Sequence, residues 1–142
     1  MRSILMTLGL ALASGVVHAQ TGASDTLEAI RDRGAIRLGH RLSSIPFSYV
    51  DEQGQVMGYS HELALRVVDA IRQALGMPDL RVELVPITSG NRFRLIRKGE
   101  IDFECGSTTH NSTRAREVDF STTIFIIGTR LLTRRNSGIA DF

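Results

Sequence analysis

Three short apolar runs, 35–39 (AIRLG), 81–86 (RVELVP) and 101–105 (IDFEC), are separated by segments with helical periodicity. That alternation narrows the possible folds more than any other feature of the chain. Strands joined through helices of this length form βαβ units, and such units close around a parallel sheet with helices on its faces. The clearest helix is 60–75, where Leu63, Val67, Ile71 and Leu75 recur every four residues and Ala64, Val68 and Ala74 widen the stripe. Ser60 is its expected N-cap, and Gly76 with Pro78 its stop. A first helix is expected over 26–33, opened by an Asp25–Glu28 capping box and ended by Gly34. A short third helix is expected over 91–98, with Phe93, Leu95 and Ile96 inward and Gly99 closing it. Residues 49–59 read as a small hairpin turning at Gln53-Gly54. Residues 112–117 read as one or two helical turns, and 118–133 as a β-branched, extended run. The expected fold class is α/β, a lobe built on a mostly parallel sheet flanked by helices.

Composition sets limits on partners. At 142 residues the chain is the size of one domain, and its net charge is only +2 although its pI is about 9.2. Its positive residues are mainly Arg and are scattered. With no Trp and two Tyr, the stacking platform and basic stripe of a nucleic-acid binder are lacking. Cys105 is the single cysteine, so no disulfide forms within the chain.

The N-terminus carries an address. Arg2 supplies a positive start, 4–17 an apolar run too short to span a bilayer comfortably, and Val17-His18-Ala19 small residues suited to cleavage after Ala19. A buried N-terminal helix is the ordinary alternative, but Gly9, Ser14 and Gly15 weaken it. The expected division is a signal peptide over 1–19, a loose leader over 20–24, and a mature chain exported to the periplasm with no stable membrane insertion.

The residues with the most chemistry lie in 86–111 (PITSGNRFRLIRKGEIDFECGSTTHN). Ser89, Gly90, Asn91 and Arg92 stand where a loop enters a helix, and Gly106, Ser107, Thr108 and Thr109 where the next strand runs out. A helix start presents unpaired N–H groups, and ligands of open α/β sheets sit beyond the carboxyl ends of the strands. Both clusters consist of donors, so they suit a small anion, a carboxylate above all, with no catalytic group among them. Arg41, at the end of the first strand, offers a second planar fork of donors. Each assignment has a bland competitor. Arg residues are usually solvated surface groups, which is the expectation for Arg31, Arg66, Arg72 and Arg97. Ser and Thr in loops ordinarily serve turns and caps. His40 is expected to fill a strand end, Cys105 to be an inert buried thiol, and Glu104 to be a salt-bridged structural carboxylate. No nucleophile elbow, paired base or Cys/His metal cluster is visible.

Four stretches, GHRLSSIPFSY (39–49), GYSHELALRVVDAI (58–71), PITSGNRFRLIRKGEIDFECGSTT (86–109) and FSTTIFIIGTRLLTR (120–134), resemble the family-3 periplasmic solute-binding proteins, in particular their glutamate- and aspartate-binding branch. The resemblance covers 25–142. It implies an incomplete periplasmic-binding-protein-like lobe over 25–124, a first hinge strand and entry to a second lobe over 125–142, and a second lobe missing from the chain, as is the segment that returns to finish the first. It implies that Arg92 takes the α-carboxylate of glutamate or aspartate and Arg41 the distal one. Ser89, Ser107 and Thr109 donate to the same ligand. The implied partner is an inner-membrane ABC permease, with no cofactor and no metal. His110 stands where the family pattern carries Asn and receives no role. One lobe leaves half of a ligand in water, so affinity of about millimolar or weaker is expected. The rival is an exported enzyme on the same scaffold, such as a cyclohexadienyl-type dehydratase or a domain joined to a peptidoglycan-cleaving one. A further alternative is a non-functional fragment that aggregates through 124–132.

Overall fold

The computed structural model describes residues 22–128 and 130–139. In chain order its elements are α1 (Gly22–Arg33), β1 (Ala35–Arg41), β2 (Ser43–Ser44), β3 (Ser48–Val50), β4 (Val56–Met57), α2 (Tyr59–Leu75), β5 (Arg81–Ile87), α3 (Arg92–Arg97), β6 (Phe103–Glu104) and a 3₁₀ turn, Arg114–Arg116. β1 is the middle strand of a parallel sheet ordered β5-β1-β6. Its pairing with β5 runs from Ala35↔Arg81 to Arg41↔Ile87, whereas β6 adds only Leu38↔Phe103 and Gly39↔Glu104. Pro86 is tolerated in β5 because that strand is an edge, with one side free of the ladder. The short β2, β3 and β4 form a separate antiparallel sheet.

Both faces of the parallel sheet are covered, as the α/β expectation requires. On one face Ile30 of α1, Ile36 of β1, Val68 of α2 and Leu80 form a buried cluster, with Ile71, Leu75, Met77, Val82 and Phe103 packed around it. On the other, Leu95 of α3 meets Ile87 and Ile101, with Val85 and Ile96 beside them. Each such side chain contributes about 1.5–3 kcal/mol when removed from water. The strand period of two therefore sends Ile36, Leu38 and His40 toward α1 and α2. It sends Arg37, Gly39 and Arg41 toward α3.

Several local expectations need correction. α1 starts at Gly22, so part of the expected leader is helical; the signal peptide lies outside the described residues, as does the Asp25 side chain of the expected capping box. Ser60 is not the cap of α2. Gly58 precedes the helix at φ 121°, and no side chain caps it. Instead the N–H groups of Tyr59 and Ser60 donate to the carbonyls of Pro46 (2.9 Å) and Phe47 (2.8 Å), and that of His61 to Phe47 O (3.3 Å). These main-chain acceptors satisfy the orphan donors of the helix start. The close approach demands glycine, since a Cβ on Gly58 would lie 2.5 Å from Phe47 O. The buried stripe of α2 runs through Ser60, His61, Ala64 and Val68, while Val67 is 46% exposed.

The strand expected over 101–105 pairs only at Phe103–Glu104. Asp102 is nevertheless tied to β1 by main chain and side chain together: its N–H donates to Arg37 O (2.9 Å), and its Oδ2 accepts from Arg37 N–H (2.7 Å) and from the Arg33 guanidinium (2.5 Å). Arg72 is not a solvated arginine either. Nε and Nη2 donate to Leu80 O at 3.1 and 2.8 Å, and Nη1 to Asp69 at 2.9 Å, which pins the exit of α2. The described part of 118–133 joins no ladder. It is held to the body by Tyr59 Oη donating to Ile124 O (3.0 Å) and by Phe125 edge-on to Phe47 (5.0 Å) and Tyr59 (5.8 Å).

Candidate functional site

All three strands of the main sheet run the same way, so their carboxyl ends deliver residues 41, 88–92 and 105–109 to one edge of the molecule. The expected binding residues fall on these loops, and the structure brings some of them together more closely than others.

Arg92 is the inner one. Although it opens α3, it is only 4% exposed, and its Nε is buried with no hydrogen-bond partner. Its guanidinium lies 4.7 Å from the centre of the Phe93 ring. Burial lowers its pKa from the ordinary arginine value; Glu104 opposes that fall, and Arg114 and Arg41 add to it. A buried arginine with a free donor beside two further cations is poised for an external anion.

The start of α3 is less available than the sequence suggests. The N–H of Asn91 donates to Thr88 Oγ1 (3.2 Å) and that of Arg92 to Thr88 O (3.3 Å), while Asn91 Oδ1 accepts from Thr88 N–H (2.8 Å). These bonds close the 88–91 turn and use the N–H groups of Asn91 and Arg92.

Ser89, Ser107 and Thr109 are exposed on the rims of the two loops, free to turn toward a ligand. Arg41 is half-buried, its N–H donating to the buried Ser48 Oγ at 3.0 Å. Its stem lies beside Gly106, where an added Cβ would meet Arg41 Cγ at 3.5 Å and Glu104 Oε2 at 3.0 Å. Residue 106 therefore has to be small for Arg41 and Glu104 to approach one another.

Three residues take parts that differ from, or were absent from, the sequence expectation. Glu104 is not salt-bridged: among the described residues no cation lies within ion-pair distance of it. Its Oε1 accepts from Thr108 Oγ1, and its Oε2 is buried without a partner. Arg114 sits in the 3₁₀ turn, donates to Thr109 O (2.7 Å) and lies 6.0 Å from the Phe93 ring, on which Arg92 also rests. Ser60, released from capping, donates to Gly106 O (3.0 Å) and so ties α2 to the loop. Only Glu104 carried a local signal, a charged residue on an apolar strand.

The neighbouring thiol and imidazoles are placed behind the site. Cys105 is half-buried, and its burial, with Glu104 adding, pushes its pKa up while the Ser60 hydroxyl opposes. A thiol so placed is a poor nucleophile. His40 is buried at the end of β1, its Nδ1 3.3 Å from Arg41 O. His61 is buried in α2; desolvation lowers its pKa, Glu62 opposes, and His40 adds to the fall. His110 lies against Phe120 with ring centres 4.8 Å apart and the planes tilted by 38°. Among the described residues no group of three or more His, Cys, Asp or Glu could hold a metal ion, and no helix is long and apolar enough to cross a membrane.

Comparison with known proteins shows the family of the chain. A glutamate/aspartate import solute-binding protein of Salmonella typhimurium is 49% identical over 138 residues, covering 95% of this chain and 46% of that protein. An L-glutamate/L-aspartate-binding protein of Pseudomonas aeruginosa is 44% identical over 146 residues, covering 100% of this chain and 48% of that protein. The chain thus spans about half the length of the curated relatives it matches. Among solved structures, the arginine-bound form of domain 1 from TmArgBP, of T. maritima, is similar with a TM-score of 0.60 and 25% identity, covering 70% of this chain and 71% of that one. With residues 36–140 matching the family model as well, the chain belongs to the bacterial extracellular solute-binding proteins, family 3.

Proposed function

We propose that this chain forms the first ligand-binding lobe of a periplasmic receptor for glutamate or aspartate that serves an inner-membrane ABC permease. The observation that carries the reading is the buried Arg92 guanidinium with an unpartnered Nε, in the company of Arg41 and Arg114 at the carboxyl edge of a parallel sheet. In this reading Arg92 takes the α-carboxylate and Arg41 the distal one, while Ser89, Ser107 and Thr109 donate from the rims. Arg114 adds positive charge and holds the Thr109 carbonyl. Residues 1–19 are the export signal, cleaved after Ala19, 25–124 the lobe, and 125–142 the first hinge crossing with the entry to a second lobe. The names of the relatives from Salmonella typhimurium and Pseudomonas aeruginosa support the ligand class.

Two or three charge-assisted hydrogen bonds at about 1.5–3 kcal/mol each stand against an association cost of roughly 4 kcal/mol or more. The chain by itself is therefore expected to bind glutamate with a Kd of about 1 mM or weaker. The experiment is a titration of the chain with ¹⁵N-labelled backbone, followed by NMR. Saturable shifts at the 88–92 and 106–109 loops with glutamate, lost in Arg92→Met, support the reading; equal shifts in both proteins refute it. One observation favours an enzyme instead, the unpartnered buried oxygen of Glu104, which could serve as an acid. Turnover of a cyclohexadienyl acid that Glu104→Gln abolishes would establish that alternative.

A further inference from the structure

Glu104 stands among cations without bonding to any of them. β6 places it on the α3 face of the sheet, where an added Cβ on Gly39 would lie 3.1 Å from Glu104 Cβ. At Gly106, Oε2 and the Arg41 stem both come within 3.5 Å of where a Cβ would stand, as described above. Thr108 fixes Oε1, so the carboxylate has one settled orientation with its other oxygen shielded from water. Of the charges acting on Arg92, Glu104 is the one that favours its charged form, and Arg114 and Arg41 disfavour it. The absence of an ion pair means that this carboxylate acts on the site through space.

We propose that Glu104 is a specificity-determining residue that sets the charge of ligand the site prefers. It offsets one of the three guanidiniums and attracts the ammonium of a bound amino acid, so the site favours a dicarboxylate that carries an ammonium over one that lacks it. The inference rests on the acidic-amino-acid reading above. The physical reasoning is short. Neutralising a fixed charge changes the potential at the site by a constant amount, and the effect on affinity multiplies with ligand charge. A unit charge about 7 Å away, at an effective dielectric between that of the protein surface and that of water, changes the affinity of a singly charged anion by about 3- to 10-fold. A ligand of net charge −2 then gains the square of that factor, and the ratio between the two ligands moves by the factor itself.

The test compares glutamate with glutarate, the same chain length without the ammonium, on the full chain by NMR titration in low salt. In Glu104→Gln, which keeps the shape, the glutarate-to-glutamate affinity ratio rises about 3- to 10-fold over the parent. Glu104→Asp, which keeps the charge, restores the ratio toward the parent value. An unchanged or lowered ratio in Glu104→Gln, or an equal rise in Glu104→Asp, overturns the inference while leaving the amino-acid reading intact. Failure of the parent chain to bind glutamate at all overturns both.

Discussion

Replacing Arg92 by Met should make the protein more stable and less able to bind, and the opposite signs are what make the test sharp. Arg92 is almost wholly shielded from solvent and keeps a donor with no acceptor. An unsatisfied buried polar group costs about 1–3 kcal/mol, more when charged. Repulsion from Arg41 and Arg114 adds to that cost, and attraction to Glu104 subtracts from it. Loss of the contact with Phe93 removes about 0.5–1 kcal/mol of favourable cation–π energy, part of which a methionine sulfur on the same ring regains. The balance is a gain of about 1 kcal/mol in unfolding free energy, or a rise in Tm of roughly 4 °C for a domain of this size. Urea denaturation followed by circular dichroism gives the first number, and glutamate titration of the same sample the second. A loss of 1 kcal/mol or more in Arg92→Met would mean that the guanidinium holds the fold together, and the reading of it as an open ligand contact would fail.

Three further outcomes are expected. Gly58→Ala puts a Cβ 2.5 Å from Phe47 O at a φ of 121°, and should destabilise by about 2–4 kcal/mol in urea denaturation; a change under 0.5 kcal/mol would show that the entry to α2 can shift freely. Asp102→Ala removes the acceptor for Arg33 and for Arg37 N–H and should cost on the order of 3 kcal/mol, whereas a surface-like loss of a few tenths would contradict its structural role. The folded pKa of His61 lies below its unfolded value of 6.5, so the unfolded chain binds the extra proton first. The contribution of His61 is therefore complete above pH 6.5 and lost as pH falls through the folded value. Urea midpoints measured from pH 7.5 to pH 5 should fall less in His61→Gln than in the parent, and parallel curves would refute the assignment.

The sheet was legible because its signals are local. The apolar runs at 35–39 and 81–86 each became a strand extended by one or two residues, and glycines 34, 76 and 99 ended the three helices. What sequence reasoning missed depends on contacts between residues distant in the chain. Ser60 has the right type and place for a cap, but the carbonyls of Pro46 and Phe47 take the N–H groups of the helix start, and the Ser60 hydroxyl holds the Gly106 carbonyl instead. Asp102 and Arg72 look like surface charges until the fold brings Arg37 N–H and Leu80 O to them. The cation cluster was half visible: Arg41 and Arg92 end or begin an element, whereas Arg114 lies in a separate turn that only the fold carries to the Phe93 ring. The exposed Ser89, Ser107 and Thr109 stand on the expected rims, and their part in binding is for the titration to decide.

Two consecutive residues at the start of α2 hold two separate segments of the chain. Tyr59 fastens the departing chain through Ile124 and Phe125, and Ser60 fastens the Gly106 carbonyl at the start of the 106–109 loop. Adjacent residues in the same helical turn cannot travel apart without unwinding it. A tug on the departing segment is therefore felt at Gly106, as by a rein passed over a single peg.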